Sequence, residues 1–177
     1  MDLHGKKVAI IATDYFEEVE LTNPRETLLV ANAMVDIIAP HDGEIRGLRH
    51  VLPGMSVHVD KTLAEADPED YDALVIPGGV VNADHLRIEP KAHEFIRYML
   101  TNHKPVAVIC HGPWLLVSAG VLRGKKLTSY PTLKDDITNA GGEWVDQPVV
   151  INGALITSRN PDDLPAFNQA LLQALES

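Results

Sequence analysis

The stretch Lys104–Leu122, KPVAVICHGPWLLVSAGVL, decides the fold. Its first part, KPVAVIC, is a short run of β-branched and small apolar residues, the pattern of a strand covered on both faces. Its second part, GPWLLVSAGVL, reads as a helix, with Pro113 suited to the first turn and Gly120 and Gly124 punctuating the end. Between the two stands Cys110, the only cysteine in the chain, followed by His111 and Gly112.

The same strand-then-helix unit recurs on both sides of this stretch. KKVAIIAT (6–13), MVDIIAP (34–40) and DALVIPGG (72–79) are further apolar strands. Helices are expected over 17–32, where Pro24 interrupts the pattern early, and over 89–102, where Phe95, Ile96, Met99 and Leu100 share an inward face. In the first of these, Val19, Leu21, Leu28, Leu29 and Val30 are the apolar positions. The segment EIRGLRHVLPGMSVHVD (44–60) alternates like a β-hairpin. Short strands fit 126–129, 143–145, 149–151 and 154–157. Asn160-Pro161-Asp162-Asp163 caps a closing helix, LPAFNQALLQAL. Strands alternating with helices predict an α/β protein, its mainly parallel sheet carrying helices on both faces, built as a single domain over residues 1–177. Ligand crevices in such sheets lie beyond the carboxyl ends of the strands. Three of those ends are chemically unusual: Thr13 before DYFEEVE, Ile76 before PGG and Ile109 before CHG.

The composition narrows the function classes. With 15 Lys and Arg against 25 Asp and Glu, the formal charge of −10 argues against nucleic-acid or anionic-membrane binding. No apolar run reaches the roughly 18–20 residues of a membrane span, and no secretory leader is recognisable. A lone cysteine cannot form an internal disulfide or a cysteine-rich zinc site, so a cytoplasmic protein without a metal or cofactor is expected.

A strand, a nucleophile, one further residue and a glycine opening a helix follow the logic of a nucleophile elbow. The helix start favours a thiolate, and the N–H of His111 can donate to an oxyanion. The match is partial, because Val108 stands where the strict pattern has glycine. From the residues alone, Cys110 reads equally as a buried small hydrophobe. His111 reads as a base or as packing at a helix start, and Glu17 as an acidic first helical turn. Asp84 suits an N-cap, and Gly78-Gly79 a tight turn. Tyr15, Trp114 and Tyr130 suit pocket walls or core packing.

Taken together, AVICHGPWLLVSAGVLRGKKLTSYPTLKDDITNAGGEWVD, FEEVELTNP, DALVIPGGVVNADHLR and TSRNPDDLPAFNQAL resemble the PfpI-like branch of the class I glutamine amidotransferase-like superfamily, relatives of the parkinsonism-associated deglycase. The resemblance runs nearly end to end, in the expected order. It implies a flavodoxin-like three-layer sandwich with a small β-hairpin and a nucleophile at Cys110. It also implies an adjacent histidine at His111, an acid near the thiol at Glu17, and an oxyanion hole from the N–H groups of Gly79 and His111. In that branch a carboxylate from a neighbouring subunit orients the histidine; Asp84 is the matching position, one residue further from the Gly-Gly pair than in members with glutamate there. A homodimer or higher homo-oligomer with Asp84 at the interface is therefore implied.

Glutamine amidotransferases place their histidine far downstream of the cysteine, and this chain has none after His111. That activity is excluded in the family's order. Two classes stay open. One is a cysteine hydrolase acting on small carbonyl adducts or peptides, with a stress-protective role. The other is a redox-sensing stress protein that uses an oxidisable Cys110.

Overall fold

Successive residues of a strand point to opposite faces, and in β1 (Lys7–Ile11) both faces are apolar. In the computed structural model, which describes residues 1–177, Val8 and Ile10 enter one core while Ala9 and Ile11 enter the other. After β1 come β2 (Phe16–Glu17), α1 (Glu18–Val30), β3 (Met34–Ala39), the hairpin of β4 (Glu44–Arg49) and β5 (Leu52–His58), and β6 (Lys61–Thr62). Next, β7 (Ala73–Ile76) leads to α2 (Val80–Leu86) and α3 (Pro90–Thr101), and β8 (Val106–Ile109) leads to α4 (Pro113–Ala119). The remaining elements are β9 (Lys126–Leu127), α5 (Lys134–Asn139), β10 (Glu143–Trp144), β11 (Val150–Asn152), β12 (Leu155–Ser158) and α6 (Leu164–Glu176).

Seven strands form the central sheet in the order β11-β12-β8-β7-β1-β3-β6. Every pairing in it is parallel except β11 with β12. Helices cover both faces. Leu21 and Leu28 of α1 and Phe167, Leu171 and Leu175 of α6 fill one core, together with Ile45 and Val57 of the hairpin. The other core takes Ala83 and Leu86 of α2, Phe95, Ile96 and Met99 of α3, Leu115 and Leu116 of α4, and Ile137 of α5. This is the α/β three-layer architecture expected, and β8, β7 and β1 are consecutive neighbours. Their carboxyl ends therefore lie side by side.

Local differences have physical reasons. Pro24 does not interrupt α1: it is buried inside the helix, which forgoes the bond to the Glu20 carbonyl that a proline cannot make. Its inward stripe is Glu20, Leu21, Pro24 and Leu28, whereas Val19, Leu29 and Val30 are exposed. Asp84 lies inside α2 rather than capping it. Asn160 caps a single 3₁₀ turn, accepting from the Asp162 N–H at 2.9 Å, and α6 starts only after that turn. No helix is long and apolar enough to cross a membrane.

Candidate active site

Cys110 follows the last residue of β8 and adopts φ +63°, a left-handed conformation that costs a non-glycine residue on the order of 1–3 kcal/mol. Its peptide groups are clamped on both sides. The Cys110 N–H donates to Ser158 O of β12 at 3.1 Å, and its carbonyl accepts from the Tyr130 N–H at 2.8 Å. Gly112 is needed just behind it, since a Cβ there would stand 2.7 Å from Val108 Cγ1 and 3.1 Å from the Ile76 carbonyl. The turn thus lifts the thiol to the crevice above β7 and β8, where it is only 8% exposed.

The sulfur has four polar neighbours. His111 Nδ1 lies 3.3 Å from Sγ. The backbone N–H groups of Gly79 and His111 face the sulfur and favour its thiolate. Gly79 sits at φ +94°, and a Cβ on it would come within 2.7 Å of Tyr15 O and 2.8 Å of Glu17 N. A Cβ on Gly78 would come within 2.6 Å of Cys110 Cβ, so the Pro77–Gly79 turn can approach the thiol only without side chains.

The fourth neighbour is a carboxyl group, and it belongs to Glu20. Glu20 is fully buried, and its Oε1 accepts from the Gly78 N–H at 2.9 Å beside the thiol. Glu17, expected in that place, turns away: its two oxygens accept from the His50 N–H at 3.1 and 3.3 Å, latching the hairpin. The reason is local. Phe16 and Glu17 pair with β4 as a strand, and the helix beginning at Glu18 then turns its inward face through Glu20, Leu21, Pro24 and Leu28. Hydrophobicity alone does not mark Glu20 in the sequence, because two of the four inward residues are a carboxyl and a proline while Val19, Leu29 and Val30 face outward.

Burial pushes the Glu20 carboxyl up to about 8, against the pull of the Gly78 N–H. At neutral pH it is mainly protonated and can donate to the sulfur. Burial also raises the Cys110 thiol, as does any charge on Glu20, while the two N–H groups act in the opposite direction. Burial lowers His111, leaving it a neutral imidazole able to accept a proton. This ring stacks on Tyr130, with centroids 4.7 Å apart, and meets Trp114 edge-on at 5.4 Å. Trp114 is itself held by its indole N–H, which donates to Asp136 Oδ2 at 2.9 Å.

Asp84 is exposed on α2. Tyr15 is exposed at the crevice mouth with φ +69°. No group of three or more His, Cys, Asp or Glu side chains is assembled to hold a metal ion. A cavity of about 510 Å³ opens instead at the amino ends of the strands, around Lys6, Asp72 and Pro105, at the opposite end of the sheet from Cys110.

These features can be set beside known proteins. Deglycase PfpI of Pyrococcus furiosus is 44% identical over 170 residues, spanning 96% of this chain and 99% of that protein. A Bacillus subtilis relative named "Putative cysteine protease YraA" is 40% identical over 173 residues, 97% and 99% of the two chains. Among solved structures, a two-domain protein from Anabaena variabilis, with DJ-1/ThiJ/PfpI-like and ferritin-like domains, superposes with a TM-score of 0.91 at 35% identity; the match covers 97% of this chain and 48% of that one. The DJ-1/PfpI family pattern matches residues 6–174, from the strand before the crevice to the last turns of α6, and the chain belongs to the DJ-1/PfpI family.

Proposed function

We propose that the protein is a cysteine-dependent hydrolase acting on small carbonyl adducts or short peptides inside the cell, with a stress-protective role. One observation carries this reading: Cys110 is held in a left-handed elbow with Sγ 3.3 Å from His111 Nδ1, facing two backbone N–H groups. Neutral His111 takes the thiol proton, and the sulfur bonds to the carbonyl carbon of an amide, of an aldehyde, or of the second carbonyl that a dicarbonyl retains in its hemithioacetal or aminocarbinol. With a carbonyl substrate, the oxygen takes up the electron pair of its π bond, and the N–H groups of Gly79 and His111 stabilise that charge. With an amide, His111 returns the proton to the departing amine, and water then cleaves the thioester. The names borne by the P. furiosus and B. subtilis relatives are compatible with these substrates.

Because Nδ1 faces the sulfur, the competent tautomer carries its proton on Nε2, and a third group must accept from that position. In this reading the acceptor is Asp84 of a second copy. Support comes from α2 and the turn after it, where Val80, Val81 and Ile88 are 52%, 37% and 75% exposed. Such an apolar face suits contact with another subunit. The test is a panel of methylglyoxal, its thiol adducts and fluorogenic peptides, given to wild type, C110A and H111A. Turnover is expected only from wild type; equal turnover by C110A overturns the reading.

The buried Glu20 carboxyl favours a second reading, a redox sensor. Peroxide would transfer one oxygen to the thiolate, leaving water and a sulfenate able to accept a hydrogen bond from protonated Glu20. Graded peroxide should then add one, and later two or three, oxygen atoms to Cys110 by mass. An unchanged mass removes this reading.

A further inference from the structure

We propose that Asn82 is a positioning residue for the thiol site: its buried carboxamide ties the end of β1 to the Pro77–Gly79 turn and so aims the Gly79 N–H at the sulfur. Asn82 is 0% exposed on the inner side of α2. Its Oδ1 accepts from the Thr13 N–H at 2.7 Å, just past β1. Its Nδ2 donates to Pro77 O at 3.2 Å and Gly78 O at 3.0 Å. The orientation of the amide follows from these partners, because an N–H on one side requires an oxygen and two carbonyls on the other require the nitrogen.

The covalent geometry makes this more than a buried polar contact. Gly78 C=O and Gly79 N–H belong to one planar trans peptide and point in opposite directions. Whatever holds the carbonyl therefore sets the direction of the N–H. Two donors hold it, Asn82 Nδ2 and the Glu17 N–H at 3.2 Å. With glycine on both sides of that peptide there is no side chain to restrain its rotation, so hydrogen bonds must do so. The other groups of the turn are also tied: Gly78 N–H to Glu20 Oε1, and Gly79 O to the Ala83 N–H at 3.0 Å. Through Thr13, Asn82 further couples this peptide to the segment that carries Tyr15, Glu17 and Glu20.

The inference rests on the reading of Gly79 N–H as a donor to negative charge on the sulfur or oxyanion. It is tested with N82A, with the isosteric N82D, and with N168A as a control. N82D keeps an acceptor for Thr13 but sets an oxygen against two carbonyls. Asn168 is another buried asparagine, but it bonds Asn23 and Thr27 on the α1–α6 side. Because Cys110 is the only cysteine, its iodoacetamide alkylation rate against pH reports the thiol alone. In N82A and N82D the titration should move upward by about one unit, leaving roughly tenfold less thiolate at a given lower pH, while N168A titrates as wild type. Where a substrate is turned over, kcat should fall and KM stay nearly constant. N82D retains side-chain volume and supplies the answer if N82A does not fold. Wild-type titration in both Asn82 variants, whatever their melting temperatures, overturns the proposal. Absence of hydrolysis by the wild type would remove the hydrolase reading and leave this measurement intact.

Discussion

At the scale of the residue, Glu20 has the largest consequence. A carboxyl group that is fully buried strongly favours its protonated form. Its pKa rises from 4.5 to about 8 on folding, so the folded chain binds a proton more tightly than the unfolded one. The stability associated with that proton is fully present below about pH 4.5 and is lost as pH rises towards 8. At pH 7 the deficit is roughly 3 kcal/mol by linkage. E20Q keeps an acceptor for the Gly78 N–H and cannot ionise. It should raise the melting temperature by several degrees at pH 7–8, with the gain disappearing near pH 4.5. Melts across that range test this, and a pH-independent difference would refute it. The contrast with Glu17 shows what a sequence can and cannot disclose. Both acids lie in one FEEVE run, and proximity to the crevice was legible. The assignment needed the exact start of α1, and a two-residue strand such as Phe16–Glu17 has too few positions to announce itself by alternation.

At the scale of the element, the Pro77–Gly79 turn and the Cys110 elbow are two backbone surfaces in direct contact. G79A should test that contact. A methyl group there meets Tyr15 O and Glu17 N at 2.7 and 2.8 Å, both backbone atoms that cannot swing aside, and φ +94° is strained for alanine. We expect a loss of about 1–3 kcal/mol in stability and, with the oxyanion donor displaced, about a hundredfold or more in kcat. Wild-type kcat in G79A would show that the turn is not part of the catalytic surface. The elements themselves were readable wherever a full period was present. β7 and β8 are apolar on both faces, β1 and β3 are so beyond Lys7 and Asp36, and α3 shows its helical stripe at Ala92, Phe95, Ile96 and Met99. In α1 the apolar count misled. Val19, Leu29 and Val30 lie outside the stripe, and the inward face includes a carboxyl and a proline that hydrophobicity alone ranks as outward.

At the scale of the whole molecule, strand order converts separate motifs into one site. Parallel strands β8, β7 and β1 bring Cys110, Gly79 and the Tyr15–Glu20 segment to one edge, as alternation with helices implied. What no single chain can contain is a partner for His111 Nε2, if Asp84 serves from a neighbour. That arrangement makes a prediction that a cis arrangement does not. In a two-fold dimer each site would combine Cys110 and His111 of one protomer with Asp84 of the other. C110A and D84A homodimers should then both be inactive. After co-refolding of equal amounts, about half the dimers are mixed, and each holds one intact site: the D84A protomer supplies the thiol and the C110A protomer the carboxylate. Activity should return to about a quarter of the wild-type specific value. Dilution below the dimer dissociation constant should abolish it again. No recovery on mixing, with both variants folded and dimeric by sedimentation, would assign Asp84 to its own protomer or to no catalytic role.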